Sequence, residues 1–231
     1  MAIFPGATYR PLNQFSDQGV KPRLGVVLHV NDSDAPSLYG WIAGNNDMSC
    51  HFQVADDGTI EQYIDTDNAS WCQMAGNSKY LSIETQGYPG EALTAAQVVA
   101  CAAIMRWVHA THGIPLQLAD TVGAPGLAWH GMGGAAWGGH TGCPGDLRKA
   151  QRQLILTLAA AVTPTPGAPM TPAQEAKLDQ IITVLGIEWR GDAVPAPTGN
   201  THPKNLVRLF DNVTALQASV NQLLAALVPK P

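Results

Sequence analysis

The 231-residue chain is poor in charge: Lys and Arg number 13, Asp and Glu 18, and charged residues make up 13% of the sequence, for a formal net charge of −5. The few basic residues do not cluster. Without a basic patch to neutralise phosphates, nucleic acid is not expected as a partner, and an anionic membrane surface is disfavoured on the same ground. No apolar run reaches the roughly 18 residues that would cross a bilayer as a helix, so stable membrane insertion is not expected. The opening MAIFPGATYRPLN lacks a basic start followed by an apolar core and a cleavage site. A chain made without a signal peptide in a reducing cytoplasm keeps its thiols free, so Cys50, Cys72, Cys101 and Cys143 are read as unpaired.

What is present is globular: 45% of residues are hydrophobic, enough for one domain with a proper core and a smaller appendage. Residues 1–22, broken by Pro5, Pro11, Gly19 and Pro22, read as an ordered but irregular arm lying on the first strand. That strand, at 24–30, is apolar on both faces and therefore interior to a sheet. Pro36 opens a short helix over 36–43. Strands at 49–55 and 59–64 flank Asp57-Gly58, a dipeptide suited to the positive φ angles of a tight hairpin. Another strand covers 81–85. Thr94-Ala-Ala-Gln97 is a capping box that opens a helix ending at Gly113. On it Val98, Cys101, Met105 and Val108 recur at helical spacing, which places Cys101 in the core, and His109 and His112 near its C-terminus are read as structural. A last helix is expected at 148–161, with Leu154, Ile155 and Leu158 inward.

Beyond residue 162 the composition changes. Residues 163–172 form a proline-rich spacer able to reach about 30 Å at roughly 3.1 Å per residue. A helical tail at 173–231 follows, whose 204–228 helix carries the heptad Leu206, Leu209, Val213, Leu216, Val220, Leu223, Leu227. Valines at a positions with leucines at d suit a parallel two-stranded coiled coil; an intramolecular hairpin of the two tail helices is the alternative.

Chemistry concentrates in residues 129–146, WHGMGGAAWGGHTGCPGD, where a glycine-rich segment without helical or strand periodicity holds His130, His140 and Cys143. Alone, Cys143 would be a small buried hydrophobe; beside two histidines it reads as a metal ligand. His29, at the end of the first strand, is the best further donor, because a rigid element fixes its imidazole. Two imidazoles and a thiolate suit zinc, and three protein ligands leave a fourth position open to water. Glu84 ends a strand among apolar neighbours, where a carboxylate needs either a partner or a task.

Between His29 and Arg148 five features occur in a fixed order: VVLHV; Ser49-Cys50-His51-Phe52 leading into the Asp-Gly hairpin; the Ala-x-Trp and Gly-Asn segment at 69–77; Ser82-Ile83-Glu84; and a histidine upstream of Cys143-Pro144-Gly145. Each is weak alone, and their order is specific. In this region the chain resembles the zinc-dependent N-acetylmuramoyl-L-alanine amidases of the type 2 family, relatives of the peptidoglycan-recognition proteins found in bacteriophage endolysins.

The resemblance implies an α/β fold with a central mixed β-sheet flanked by helices, spanning a catalytic domain at 1–162. It implies zinc on His29, on His130 in preference to His140, and on Cys143, with His140 left either to support the ligands from behind or to contact substrate. Glu84 would be the general base and Thr141 a contact to the oxyanion, in a hydrolysis of the amide between N-acetylmuramic acid and L-alanine. Trp71, Asn77, Trp129 and Trp137 are candidates for a glycan and stem-peptide groove, and His51 would support the site. Two positions depart from the family: Cys50 stands where a tyrosine is usual and Cys72 where a histidine is. The implied partner is bacterial peptidoglycan, reached after release from the host cytoplasm, with self-association through the 204–228 helix. A non-catalytic peptidoglycan binder of the same fold is the competing expectation.

Overall fold

The computed structural model describes residues 1–160 apart from 18, 45 and 46; the spacer at 163–172 and the tail at 173–231 lie outside the described residues. In chain order the elements are β1 (Thr8–Tyr9), β2 (Phe15–Ser16), β3 (Gly25–Leu28), α1 (Tyr39–Ala43), β4 (Phe52–Val54), β5 (Ile60–Gln62), β6 (Ala69–Ser70), β7 (Tyr80–Thr85), α2 (Ala95–His112), β8 (Gly126–Trp129), α3 (Asp146–Ala150) and α4 (Arg152–Ala160). Six strands form one mixed sheet in the order β1-β5-β4-β7-β3-β8, and β2 pairs with β6 in a small separate ribbon. Only β4 and β5 run antiparallel within the large sheet, as the hairpin through Gly58 (φ 86°) requires. The mixed α/β architecture is the one the sequence implied.

Strand alternation sorts each sheet residue to one of two faces. Leu28, Phe52, Leu81 and Ile83 meet Val98, Ile104, Met105 and Val108 of α2 and Ile155 of α4 in the main core, and Cys101 is buried there as the helical spacing predicted. Helix α2 starts where its capping box says it should: Thr94 Oγ1 accepts from the Gln97 amide and Gln97 Oε1 accepts from the Thr94 amide, both at 3.0 Å. It stops at Gly113, whose left-handed φ of 72° suits glycine. Gly25 and Gly126 are register partners on β3 and β8, and a Cβ on Gly25 would collide with the Gly126 carbonyl, so the last strand closes on the sheet only at a pair of glycines.

Three expectations about the elements need correction. The N-terminal arm lies not on β3 but at the far edge of the sheet, where β1 pairs in parallel with β5. Strand β3 is already bonded on both sides, to β7 and β8, and has no free edge to offer. The first helix is shorter than 36–43, because Ser37 is engaged by Glu61 and the Leu38 amide by the Tyr63 hydroxyl before the helix begins. The final helix is two helices, α3 and α4, meeting at Gln151, whose side-chain amide exchanges hydrogen bonds with both backbone groups of Leu93 (2.7 and 3.0 Å). Inward on α4 are Ile155, Leu156 and Ala159, with Leu154 and Leu158 at the margin of the core.

Candidate metal centre

Strands β7, β3 and β8 are adjacent and parallel, so their carboxyl ends open on one side of the sheet, the position where α/β sheets gather ligands. Glu84 comes from the end of β7, His29 directly follows β3, and His130 directly follows β8. Register continues past the strands, since the His29 amide donates to Ile83 O at 2.9 Å. His29, Glu84 and His130 are all buried, at 1%, 7% and 5% exposure. Residues 130–137, expected as an irregular loop, wind into 3₁₀ turns, kinked at Gly134, and the chain then returns to bring Cys143 back to β3. The Cys143 sulfur accepts a hydrogen bond from the Val30 amide at 3.4 Å.

One ring nitrogen of His29, one of His130 and the Cys143 sulfur lie within 4.8 Å of one another. Hydrogen bonds from behind select which nitrogens face the group. Gln73 Nε2 donates to Tyr80 O at 2.9 Å, which turns Gln73 Oε1 towards His29 Nε2 at 3.3 Å. His130 Nε2 lies 2.8 Å from Trp137 O. Both acceptors require N–H on Nε2, leaving each Nδ1 with its lone pair, the arrangement by which partners behind a ligand set tautomer and orientation. Burial pushes the Cys143 thiol up to about 12, so thiolate there needs a neighbouring cation. Two oriented imidazole lone pairs and a sulfur with an amide donor form a donor set that fits zinc.

A second set, His29 with Cys72 and Glu84, is equally compact. Its chemistry differs. The Cys72 thiol donates to Glu84 Oε1 at 3.5 Å, a bond it can make only with its proton on, and burial holds that thiol well above the ordinary range. Glu84 Oε1 also stands 3.7 Å from His29 Nδ1, whereas its Oε2 has no partner. Desolvation lifts the Glu84 carboxyl to about 7. Glu84 is therefore neither a backbone anchor nor a tie to the arm; it is a buried carboxyl facing the histidine set.

A cleft of about 840 Å³ opens over these groups, lined by His29, Glu84, His130 and Cys143 on its floor and by Trp41, Trp71 and Met74 on its walls. Trp41 and Trp71 keep 57% and 36% of their surface exposed. His140 also lines the cleft; its ring centroid lies 5.1 Å from that of His130 with the planes tilted by 31°, and it belongs to neither donor set. Thr141 is exposed and does not line this cleft. It borders a neighbouring depression of about 350 Å³ with Trp129 and Lys149, whose ammonium sits 3.7 Å over the Trp129 ring. Of the other groove candidates, Trp137 and Asn77 both border the cleft, Trp137 buried against Tyr80 and Asn77 with its Oδ1 capping the Cys72 and Gln73 amides. His51 lies outside the cleft, hydrogen-bonded to Ser82 and Asn68, and Cys50 is buried among Leu38, Ile42 and Tyr63.

Residues that sequence reasoning did not single out hold the site in shape. Gln73 carried no signal beyond lying next to Cys72, and the Trp137 carbonyl, being backbone, could carry none. In the sequence Arg148 reads only as the edge of a helix. It is 1% exposed, and its guanidinium donates to Thr85 Oγ1 (2.8 Å), Gln86 O (2.9 Å) and Glu91 O (3.1 Å). Thr85 Oγ1 in turn donates to His29 O at 2.6 Å.

The fold has solved counterparts. The chain is similar to the endolysin N-acetylmuramoyl-L-alanine amidase LysCS of Clostridium intestinale URNW, with a TM-score of 0.51 at 16% identity over 68% of this chain and 99% of the other. It is likewise similar to the Staphylococcus aureus hydrolase AmiA, solved with its ligand, with a TM-score of 0.53 at 18% identity over 68% of this chain and 83% of the other. Among curated proteins, none matches the chain. At such identities the structural likeness concerns the fold, but a family profile also matches the sequence itself over residues 18–146, a span containing His29, Glu84, His130 and Cys143. On that match the chain belongs to the Amidase_2 family of N-acetylmuramoyl-L-alanine amidases.

Proposed function

We propose that this chain is a peptidoglycan hydrolase of the endolysin kind, cutting the amide between N-acetylmuramic acid and the L-alanine of the stem peptide, with zinc held by His29, His130 and Cys143. The observation that carries this reading is the meeting of those three donors with the Glu84 carboxyl on the floor of one open cleft. When bound, zinc supplies a Lewis acid that makes hydroxide accessible near neutral pH.

The protein's own groups do the rest. Glu84 Oε1, on the side facing His29, takes the proton of the attacking water and later returns it to the leaving amine. A carboxyl raised to about 7 by burial suits both transfers near neutral pH. The Cys72 thiol, 3.5 Å from the same oxygen, limits its rotation. Gln73 and the Trp137 carbonyl keep the two imidazoles from turning away, and the exposed indoles of Trp41 and Trp71 offer apolar walls for substrate. Thr141, two residues from Cys143 and bordering the depression that Cys143 also lines, is retained as the contact to the oxyanion.

Digestion of purified cell walls by the zinc-loaded full chain tests the reading. New L-alanine amino termini are expected, and they should disappear for Glu84→Gln. Release of reducing sugars in their place, or full turnover after a strong chelator has removed the metal, would overturn it. The same reading keeps 163–172 as a linker and 173–231 as a wall-binding or self-association tail. Sedimentation of the chain without residues 173–231 should show a loss of self-association, and an unchanged number of chains per assembly would reject that role.

A further inference from the structure

Gln53 of β4 is the register partner of Glu84 of β7. The two side chains therefore rise from neighbouring strands on the same face of the sheet. Gln53 is fully buried, yet neither its Oε1 nor its Nε2 has a hydrogen-bond partner, and Glu84 Oε2 is in the same condition. Among the described residues five buried side-chain polar atoms lack partners, and three of them belong to this one pair. A buried amide with nothing to bond is destabilising relative to an apolar side chain of the same size. Its place at this position asks for a polar occupant.

Gln and Glu have side chains of equal length, so in register on adjacent strands and in like rotamers their tips would stand roughly 4.8 Å apart, the strand spacing. That is too far for a direct hydrogen bond and within the span of one water making two bonds of about 2.8 Å. Buried polar sites of this kind ordinarily hold an ordered water bonded to such otherwise unsatisfied groups. On its other oxygen Glu84 already meets the Cys72 thiol and faces His29.

We propose that Gln53 is a positioning residue for Glu84: its amide and Glu84 Oε2 hold one water between them, which fixes the carboxyl plane and so aims Oε1 into the cleft. This rests on the reading of Glu84 as proton acceptor. The bridge adds no group to the reaction and touches no substrate. Its effect falls on the fraction of time that Glu84 spends in the working rotamer, and therefore on kcat rather than on KM.

The test uses the zinc-loaded full chain with a soluble muramyl peptide and compares Gln53→Met, which keeps the volume and removes the amide, with Gln53→Asn, which keeps the amide. For Gln53→Met we expect unchanged zinc content and KM, a melting temperature at or above that of the parent, and a kcat lower by about fivefold, the rate equivalent of one net hydrogen bond. Gln53→Asn should recover part of that loss. Parental kcat in a folded Gln53→Met variant would overturn the proposal, as would an equal fall in both variants. Should Gln53→Met not fold, a high-resolution crystal structure of the parent decides: a water within hydrogen-bonding distance of both side chains is expected, and a dry or repacked pair overturns the proposal. Glu84→Gln run alongside separates the layers. If it keeps full turnover, the assignment of Glu84 itself has failed, and the bridge with it.

Discussion

On the helix-covered face of the sheet, Leu28, Phe52, Leu81 and Ile83 meet the apolar side chains of α2 and α4, and charge enters only at its margin, where Arg148 reaches Thr85. On the opposite face the same strands and their continuations present His29, His51, Gln53, Ser82 and Glu84, all buried as well. One face is held by area removed from water, which is non-directional and tolerant of exchange between similar shapes. The other is held by named donor and acceptor pairs, such as Gln73 behind His29 and Trp137 O behind His130, which tolerate very little. Stability should therefore reside mainly on the first face and activity on the second.

Four experiments would break or sharpen that division. The largest effect should come from Cys143→Ser, which removes the sulfur of the donor set: zinc content should fall with it, and turnover should drop by more than about 100-fold, while the melting temperature measured without metal stays close to the parent's. A variant that loses both folding and activity would blur the two faces. Ile104→Ala, on the helix side, should do the converse. Removing a fully buried isoleucine costs about 3 to 4 kcal/mol in denaturant unfolding, and turnover per folded molecule should remain that of the parent.

The third test is acid. His51 is fully buried and neutral, accepting from the Ser82 amide on Nδ1 and donating from Nε2 to Asn68 O, and desolvation lowers its pKa from 6.5 to about 4. The unfolded chain takes up that proton near pH 6.5, the folded chain only near 4. Stability should thus fall as the pH drops through this window, by about 3 kcal/mol in total, and level off below it. Denaturant titrations at pH 7 and 4, repeated on His51→Gln, would show whether the slope belongs to this residue. The smallest expected effect is that of Gln73→Ala, which should leave the fold intact and weaken zinc binding by about 10- to 100-fold, read by competition with a chromogenic chelator.

How far the sequence alone reached follows the same division. The capping box at Thr94 and Gln97, the Asp57-Gly58 turn and the helical spacing of Val98, Cys101, Met105 and Val108 are local signals, and the structure honours each. The meeting of His29, His130 and Cys143 could be expected because each lies in a short motif with its own chemistry. The supporting groups could not. Gln73 and Arg148 act across 44 and 63 residues of chain, and their roles exist only once the strands are in register. The arm was misplaced because a strand's free edge is a property of the finished sheet, and the break at Gln151 arises from a partner, Leu93, that no helical periodicity includes. Thr141 shows the reverse limit. A motif position suggests a contact, and the chain places Thr141 at a depression it shares with Cys143 beside the main cleft, a placement by which no sequence signal could be judged.

Arg148 ties these observations into one mechanical consequence. It lies on α3, directly after the Cys143 loop, and grips Thr85, which grips the carbonyl of His29, so the segments bearing the sulfur and the first imidazole are braced against each other at their backs. A donor set secured from outside in this way would not need a bound ion to hold its shape. Without metal it should keep the same dimensions, so that if zinc is the occupant proposed above, loading would need no refolding and could follow folding by any interval.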